Sequence, residues 1–187
     1  KEAMVLMHMD VQKAFDSMLK SKILELIEEH APQYLAYFMD RLGQETKAYF
    51  TTNEGKDYEK VIELGVIQGR PSSALLFDAV LGHCLEEAGI ISKDEPCHVA
   101  LIHDDIFVLG KASNIISVYE RIKEALLGLN LVLNPSKTEL ICINTDHAEF
   151  RKLQEEWEKK FVDPATFNNG MRVGGIPVGA DKFIDEY

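Results

Sequence analysis

The stretch "VALIHDDIFVLG", Val99 to Gly110, sets two adjacent aspartates, Asp104 and Asp105, inside an otherwise strongly apolar run. Burying a carboxylate without a partner is expensive, so the pair sits at an exposed tip, bears its own repulsion, or holds a cation. Its flanks alternate little, which predicts two buried strands joined by a turn carrying both acids. An Asp-rich hairpin turn is the simpler account of these residues taken alone. A third acid enters from the start of the chain, where "AMVLMHMD" runs almost continuously apolar up to Asp10. That pattern predicts a strand buried on both faces whose carboxyl end reaches a site. If the two strands lie side by side, Asp10, Asp104 and Asp105 converge, an arrangement that a divalent cation neutralises. Oxygen-only ligands favour Mg2+, with Mn2+ as a substitute, over zinc. Two such ions about 3.5–4 Å apart serve in-line phosphoryl transfer, one activating the attacking oxygen and one stabilising the leaving oxygen.

Outward from these acids, residues 17–30 and 34–50 show helix-type apolar spacing, interrupted by Pro32. "KAYFTTNEGKDYEKVIELG" reads as a β-hairpin turning at Asn53, Glu54 and Gly55. A mostly apolar helix follows from Pro71 and Ser72 to Gly89, and an amphipathic helix in "ASNIISVYERIKEALLGL" ends at Gly128. Then come a short strand "LVLN", a turn at Pro135, and a strand "ELICIN". The segment 146–162 is a charged helix with Phe150, Leu153, Trp157 and Phe161 on one face, and "MRVGGIPVG" resembles a hairpin interrupted by glycines. The predicted class is α+β, an antiparallel-rich sheet with helices packed on one face, plus a small hairpin insertion and a C-terminal hairpin. No internal repeat or low-complexity linker divides the 187 residues, so they fit one domain.

Composition limits the partners. A formal net charge of -11 and a pI near 5.0 argue against a freestanding nucleic-acid binder, which shows a basic face. Cys84, Cys97 and Cys142 are an odd number without zinc-type or redox spacing, which predicts reduced thiols and an intracellular, non-secreted protein of the nucleus or cytoplasm. No apolar run reaches the roughly 18 residues of a membrane helix, and no leader points to secretion. The chain opens at Lys1 almost directly into a strand, as a piece of a longer polypeptide would.

Five stretches stand in a telling order: "MDVQKAFDSM", "GVIQGRPSSALLF", "LIHDDIFVLG", "LNLVLNPSKTELI" and "RVGGIPVGADKF". They resemble motifs A to E of the reverse-transcriptase palm over about residues 4–183, most closely in non-LTR retroelement enzymes. There motif A runs Asp-Ile-x-x-Ala-Phe-Asp and motif B runs Gly-Val-x-Gln-Gly-Asp-Pro-x-Ser-Pro-Leu-Leu-Phe. The resemblance implies an RNA-directed DNA polymerase of retrotransposition that works with two Mg2+ ions, an RNA template, a DNA primer and dNTPs. It implies that Asp10 and Asp104 bind the metals, with Asp105 assisting and the carbonyl of Val11 as a backbone ligand. Phe15 matches the aromatic gate that excludes a ribose 2'-hydroxyl, although without Asp10 nearby it reads first as a core aromatic. Gln68 and Gly69 match the template- and nucleotide-contacting pair of motif B. Ser72 and Ser73 are equally explained as helix caps. Lys137 matches the motif D lysine, a candidate general acid for pyrophosphate, and is otherwise an ordinary exposed lysine after a Pro turn. Gly174 and Gly175 match the primer-holding hairpin of motif E or are simply a turn.

Three positions depart from the family pattern. Ile102 replaces the usual aromatic two residues before the first Asp of motif C, and His103 follows it, placed to touch primer, ligate metal or cap the turn. Arg70 stands for an expected Asp, facing a phosphate or solvent, and Ala74 stands for an expected Pro. The resemblance places a fingers-side helix and hairpin at about 34–66. The remaining fingers and the thumb are absent from these residues, which accounts for the acidic balance: the cationic grip belongs to those segments. Two other readings remain open, a non-catalytic or decayed palm kept as a scaffold or interaction domain, and an RNA-directed RNA polymerase.

Overall fold

The computed structural model describes residues 2–43, 46–66, 71–144, 147–162 and 165–186. In chain order its elements are β1 (Met4–Val11), α1 (Ala14–Ser17), α2 (Lys20–His30), a 3-10 turn (Pro32–Tyr34), α3 (Leu35–Leu42), β2 (Thr46–Thr51) and β3 (Asp57–Ile62). They continue with α4 (Pro71–Glu87), β4 (His98–Ile102), β5 (Asp105–Lys111), α5 (Ala112–Gly128), β6 (Leu133–Cys142), α6 (His147–Lys160), β7 (Thr166–Asn168), β8 (Gly170–Val173), β9 (Ile176–Gly179) and α7 (Asp181–Asp185).

One five-stranded sheet, in the order β4-β5-β1-β6-β7, organises the molecule. β1 lies at its centre, antiparallel to both β5 and β6, and β7 adds to β6 in parallel. The sequence predicts β1 to be buried on both faces; the structure instead alternates. Val5, Met7, Met9 and Val11 are buried, whereas Met4, Leu6, His8 and Asp10 are only partly covered. The buried side meets the helices: Phe77, Val80, Leu81 and Leu85 of α4 and Ile115, Val118, Ile122 and Leu126 of α5 join it in a single core. These residues recur at helical spacing, so one stripe of each helix is spent on the sheet. α6 closes the far end through Phe150, Leu153 and Trp157. The antiparallel-rich α+β layer with helices on one face is as the sequence predicts.

Several boundaries move. β4 is not a buried strand but an exposed edge with alternating burial, which leaves the turn with His103 and Asp104 while Asp105 opens β5. The helical reading of 34–50 stops at Leu42. Beyond it β2 pairs with β3 in the predicted hairpin, and Gly55 (φ 78°) sits in its turn. The strands predicted on either side of Pro135 are one strand, β6, with an irregularity: His8 pairs with Glu139, but Asp10 pairs with Asn134. The residues between them loop out of register, where proline's missing N–H costs the ladder nothing. The C-terminal hairpin forms between β8 and β9. Gly174 (φ 56°) and Gly175 (φ 83°) fill the positive-φ places of its two-residue turn. Among the described residues no helix is long and apolar enough to cross a membrane.

Candidate active site

The site lies at the carboxyl end of β1. The register sets Asp10 directly opposite Asp105 on β5, and opposed residues of an antiparallel pair share a face. Both acids therefore stand on the half-covered side of the sheet, away from the helices. The Val11 amide donates to the Asp104 carbonyl at 3.1 Å, which pins the β4–β5 turn to the end of β1. The Val11 side chain is buried in the core, so its backbone alone faces this region.

Each acid is held by a different neighbour. Lys137 Nζ donates to Asp10 Oδ1 at 2.8 Å, and Asn134 Nδ2 donates to Asp10 Oδ2 at 3.3 Å. Both donors come from the irregular part of β6, whose out-of-register loop turns Lys137 back over β1. On the other side His8 Nε2 donates to Asp105 Oδ1 at 2.8 Å, with the His8 ring stacked on Phe107 at 4.8 Å between centroids. The pulls diverge: Asp10 is drawn toward β6 and Asp105 back along β1. Asp10, Asp104 and Asp105 do not form a trio whose ligand atoms all lie within 4.8 Å of one another. Asp10 raises the Lys137 ammonium above the usual lysine range, first through the hydrogen bond and then through its charge, with Asp104 and Asp105 adding attraction.

Phe15 follows on α1, half-buried and stacked on Phe77 of α4 at 4.8 Å. His103 lies 6.4 Å from Phe15, ring to ring. Its own backbone sits at φ 54°, a costly region for a residue with a Cβ. Asp78 of α4 accepts from His103 Nδ1 at 2.9 and 3.1 Å, tying the turn to the helix. Thus Asp10, Val11, Phe15, His103, Asp104, Asp105 and Lys137 are connected through one end of the sheet. Gly174 and Gly175 occupy the exposed turn of the separate β8–β9 hairpin, whose β8 contacts β6. Gln68, Gly69 and Arg70 lie outside the described residues.

Sequence reasoning missed His8, Asp78, Asn134 and Gly65. His8 carries a signal, being the polar residue two before Asp10 and hence on its face of the strand. Asp78 shows only as an acid in an apolar helix, and its partner depends on where the turn falls. Gly65, at φ 76°, receives α1: its amide donates to the Met18 carbonyl at 2.8 Å, and a Cβ there would lie 2.6 Å from Asp16 Cα.

The donor set tests well for a hard divalent cation. It is made of carboxylate and backbone oxygens, and Asp10 already binds a cation, the ammonium of Lys137. Chemically, the arrangement pairs acids that can hold cations with a protonated lysine that can give up a proton.

Comparison with known proteins bears on the fold and the family. A Candida albicans telomerase, in complex with the TWJ fragment of telomeric RNA, superposes with a TM-score of 0.65 at 11% identity, over 97% of this chain and 31% of that one. An apo telomerase from Candida tropicalis gives 0.68 at 13% identity, over 96% and 32%. These likenesses show a shared fold, and this chain spans about a third of the length of those proteins. No curated protein matches. The family model described as reverse transcriptase (RNA-dependent DNA polymerase) matches residues 1–167, nearly the whole chain with its three acids and Lys137, and the chain belongs to that family.

Proposed function

We propose that this chain is the palm of a two-metal RNA-directed DNA polymerase of the non-LTR retroelement type, acting in retrotransposition. The observation that carries the proposal is Asp10, set opposite Asp105 by the strand register and bound to Lys137 across the irregularity in β6. Asp10 and Asp104 would hold two Mg2+ ions, or Mn2+ in their place, with Asp105 and the Val11 carbonyl completing the oxygen set. Those ions, when bound, would lower the pKa of the primer 3'-hydroxyl and stabilise charge on the leaving pyrophosphate.

The chain's own residues supply the rest. Phe15, braced by Phe77, fills the space of a 2'-hydroxyl and selects dNTPs. Gln68 and Gly69 orient template and nucleotide, and Arg70 meets a phosphate. His103, Gly174 and Gly175 contact the primer. Lys137 delivers a proton to pyrophosphate once it leaves Asp10. His8 orients Asp105 through the Nε2–Oδ1 hydrogen bond. Residues 1–187 form one palm unit that includes the fingers-side segment at about 34–66; flanking segments of the same polypeptide provide basic fingers and a thumb, and the protein works inside the cell.

Primer extension by a parent protein that includes the flanking segments tests this reading. Asp10→Asn and Asp104→Asn should each abolish extension and weaken Mn2+ binding; unchanged activity in either variant sinks the proposal. Phe15→Ala should admit ribonucleotides. If the unaltered parent instead prefers ribonucleotides, it is an RNA-directed RNA polymerase, and if it extends nothing with either metal, the palm is a scaffold.

A further inference from the structure

Away from the aspartates, α2 and α4 pack against each other and bring together side chains that the polymerase reading leaves unused. Among the described residues, Glu29, His30 and His83 are the trio whose ligand atoms all lie within 4.8 Å of one another. We propose that Glu29, His30 and His83 form a binding site for a transition-metal dication of the Zn2+ class, clamping the end of α2 to α4.

The chemistry fits such an ion and not Mg2+. Two imidazoles and one carboxylate form a borderline nitrogen-rich set, which zinc and its neighbours accept and hard Mg2+ does not. A tetrahedral ion with ligands at about 2.0–2.1 Å separates its donor atoms by roughly 3.3 Å. His30 Nε2 and Glu29 Oε1 already stand 3.8 Å apart. The imidazoles of His30 and His83 meet edge-on at 78°, with centroids 4.9 Å apart, close enough for one ion to join them. Glu87, one turn beyond His83, places Oε1 3.7 Å from His83 Nε2. Its carboxylate adds negative charge beside the trio.

The surroundings favour a cation further. His30 is the last residue of α2, where unpaired carbonyls carry partial negative charge. An adjoining groove of about 380 Å³ is lined by Glu25, Glu29 and Glu87, leaving room for a water on the ion's open side. The one lysine of that groove, Lys22, is engaged by Glu25 at 2.6 Å. Cys84, next to His83, does not compete: its thiol is directed to the Ala125 carbonyl at 3.4 Å. The donors are exposed or half-exposed, so an ion can reach them without unfolding.

Zn2+ titration of the full chain against a chromophoric chelator, without nucleic acid, tests the site. One ion should bind per chain, and Zn2+ should raise Tm. His30→Gln and His83→Gln should each weaken binding by about tenfold or more, and the double variant should lose both binding and the Tm shift while circular dichroism stays unchanged. Glu29→Gln should weaken binding to a smaller degree. Co2+ in place of Zn2+ should show d–d bands without thiolate charge transfer. The proposal is overturned by an absence of one-to-one binding, by binding retained in the double variant, or by a thiolate band. Asp10→Asn/Asp104→Asn should keep the ion; loss of it there would place the ion among the aspartates instead and overturn the site. Because this readout needs no polymerisation, its failure is separate from any failure of the polymerase reading.

Discussion

Lys137 bears two demands that pull against each other. As a candidate general acid it must be protonated, and as a neighbour of Asp10 it occupies one oxygen of a carboxylate that a divalent ion would also bind. Its raised pKa meets the first demand, because the ammonium persists past the ordinary lysine value of 10.5. The sign follows directly: the ion pair's contribution to stability is whole below pH 10.5 and fades as pH rises through the raised value. The second demand predicts competition. Lys137→Met should slow single-turnover extension by about 10²- to 10⁴-fold, the range of a lost general acid. The same variant should bind Mn2+ at least as tightly as the unaltered protein, since no ammonium then contests Asp10. Electron paramagnetic resonance titration checks this, and a clear loss of Mn2+ affinity would show that Lys137 instead pre-orders the carboxylate. On the Asp105 side, His8 Nε2 hydrogen-bonds Oδ1 at 2.8 Å.

Elements position these residues through a few contacts that a linear reading does not expose. The turn carrying Phe15 rests on Gly65, whose neighbour Val66 donates to the Phe15 carbonyl at 2.7 Å. Gly65 combines a positive φ with contacts that leave no room for a Cβ, so Gly65→Ala must strain the backbone and push α1 away. The expected result is a destabilisation of roughly 1–3 kcal/mol in urea unfolding, together with weaker discrimination against ribonucleotides. Normal discrimination in a folded Gly65→Ala protein would show that Phe15 does not depend on this seat. At the other end of the sheet Trp157 packs on Tyr119 and Phe161, at 4.5 and 4.7 Å, with no hydrogen-bond partner for its indole N–H among the described residues. Trp157→Ala should cost about 3–5 kcal/mol by leaving a cavity there, measurable by the same unfolding. Helices α4 and α5 and both hairpins were legible because their apolar spacing, Pro71 and the turn residues are local signals. The one-sided burial of β1 was not, because Leu6 and His8 read as strand interior until the placement of the helices leaves that face partly open. The approach of Lys137 to Asp10 was legible only as family resemblance, since it depends on a register break between residues 124 positions or more apart. β7 and α7 are too short for periodicity to announce them.

For the whole molecule, the proposed function and the acidic balance are compatible if flanking segments supply the cationic grip on nucleic acid. The net charge of -11 includes Asp10, Asp104 and Asp105, which face the phosphates of any primer or nucleotide placed at the site. Neutralising phosphates with Lys and Arg and releasing their counterions is what drives nucleic-acid affinity, with log K falling about 0.9 for each contact per log unit of salt on duplex DNA. A surface that is acidic overall has few such contacts to offer, and the carboxylates repel the ligand until metal screens them. The chain alone should therefore bind an RNA–DNA primer-template no more tightly than roughly 10⁻⁴ M at physiological salt, the weak end of non-specific binding, with a nearly flat salt dependence and a modest gain on adding Mg2+. The parent with basic flanking segments should bind far more tightly and with a steep salt slope. Fluorescence anisotropy over a salt series checks both. Tight, steeply salt-dependent binding by residues 1–187 alone would mean that this palm carries its own cationic grip despite its net charge, and that the flanking segments are not what holds the template.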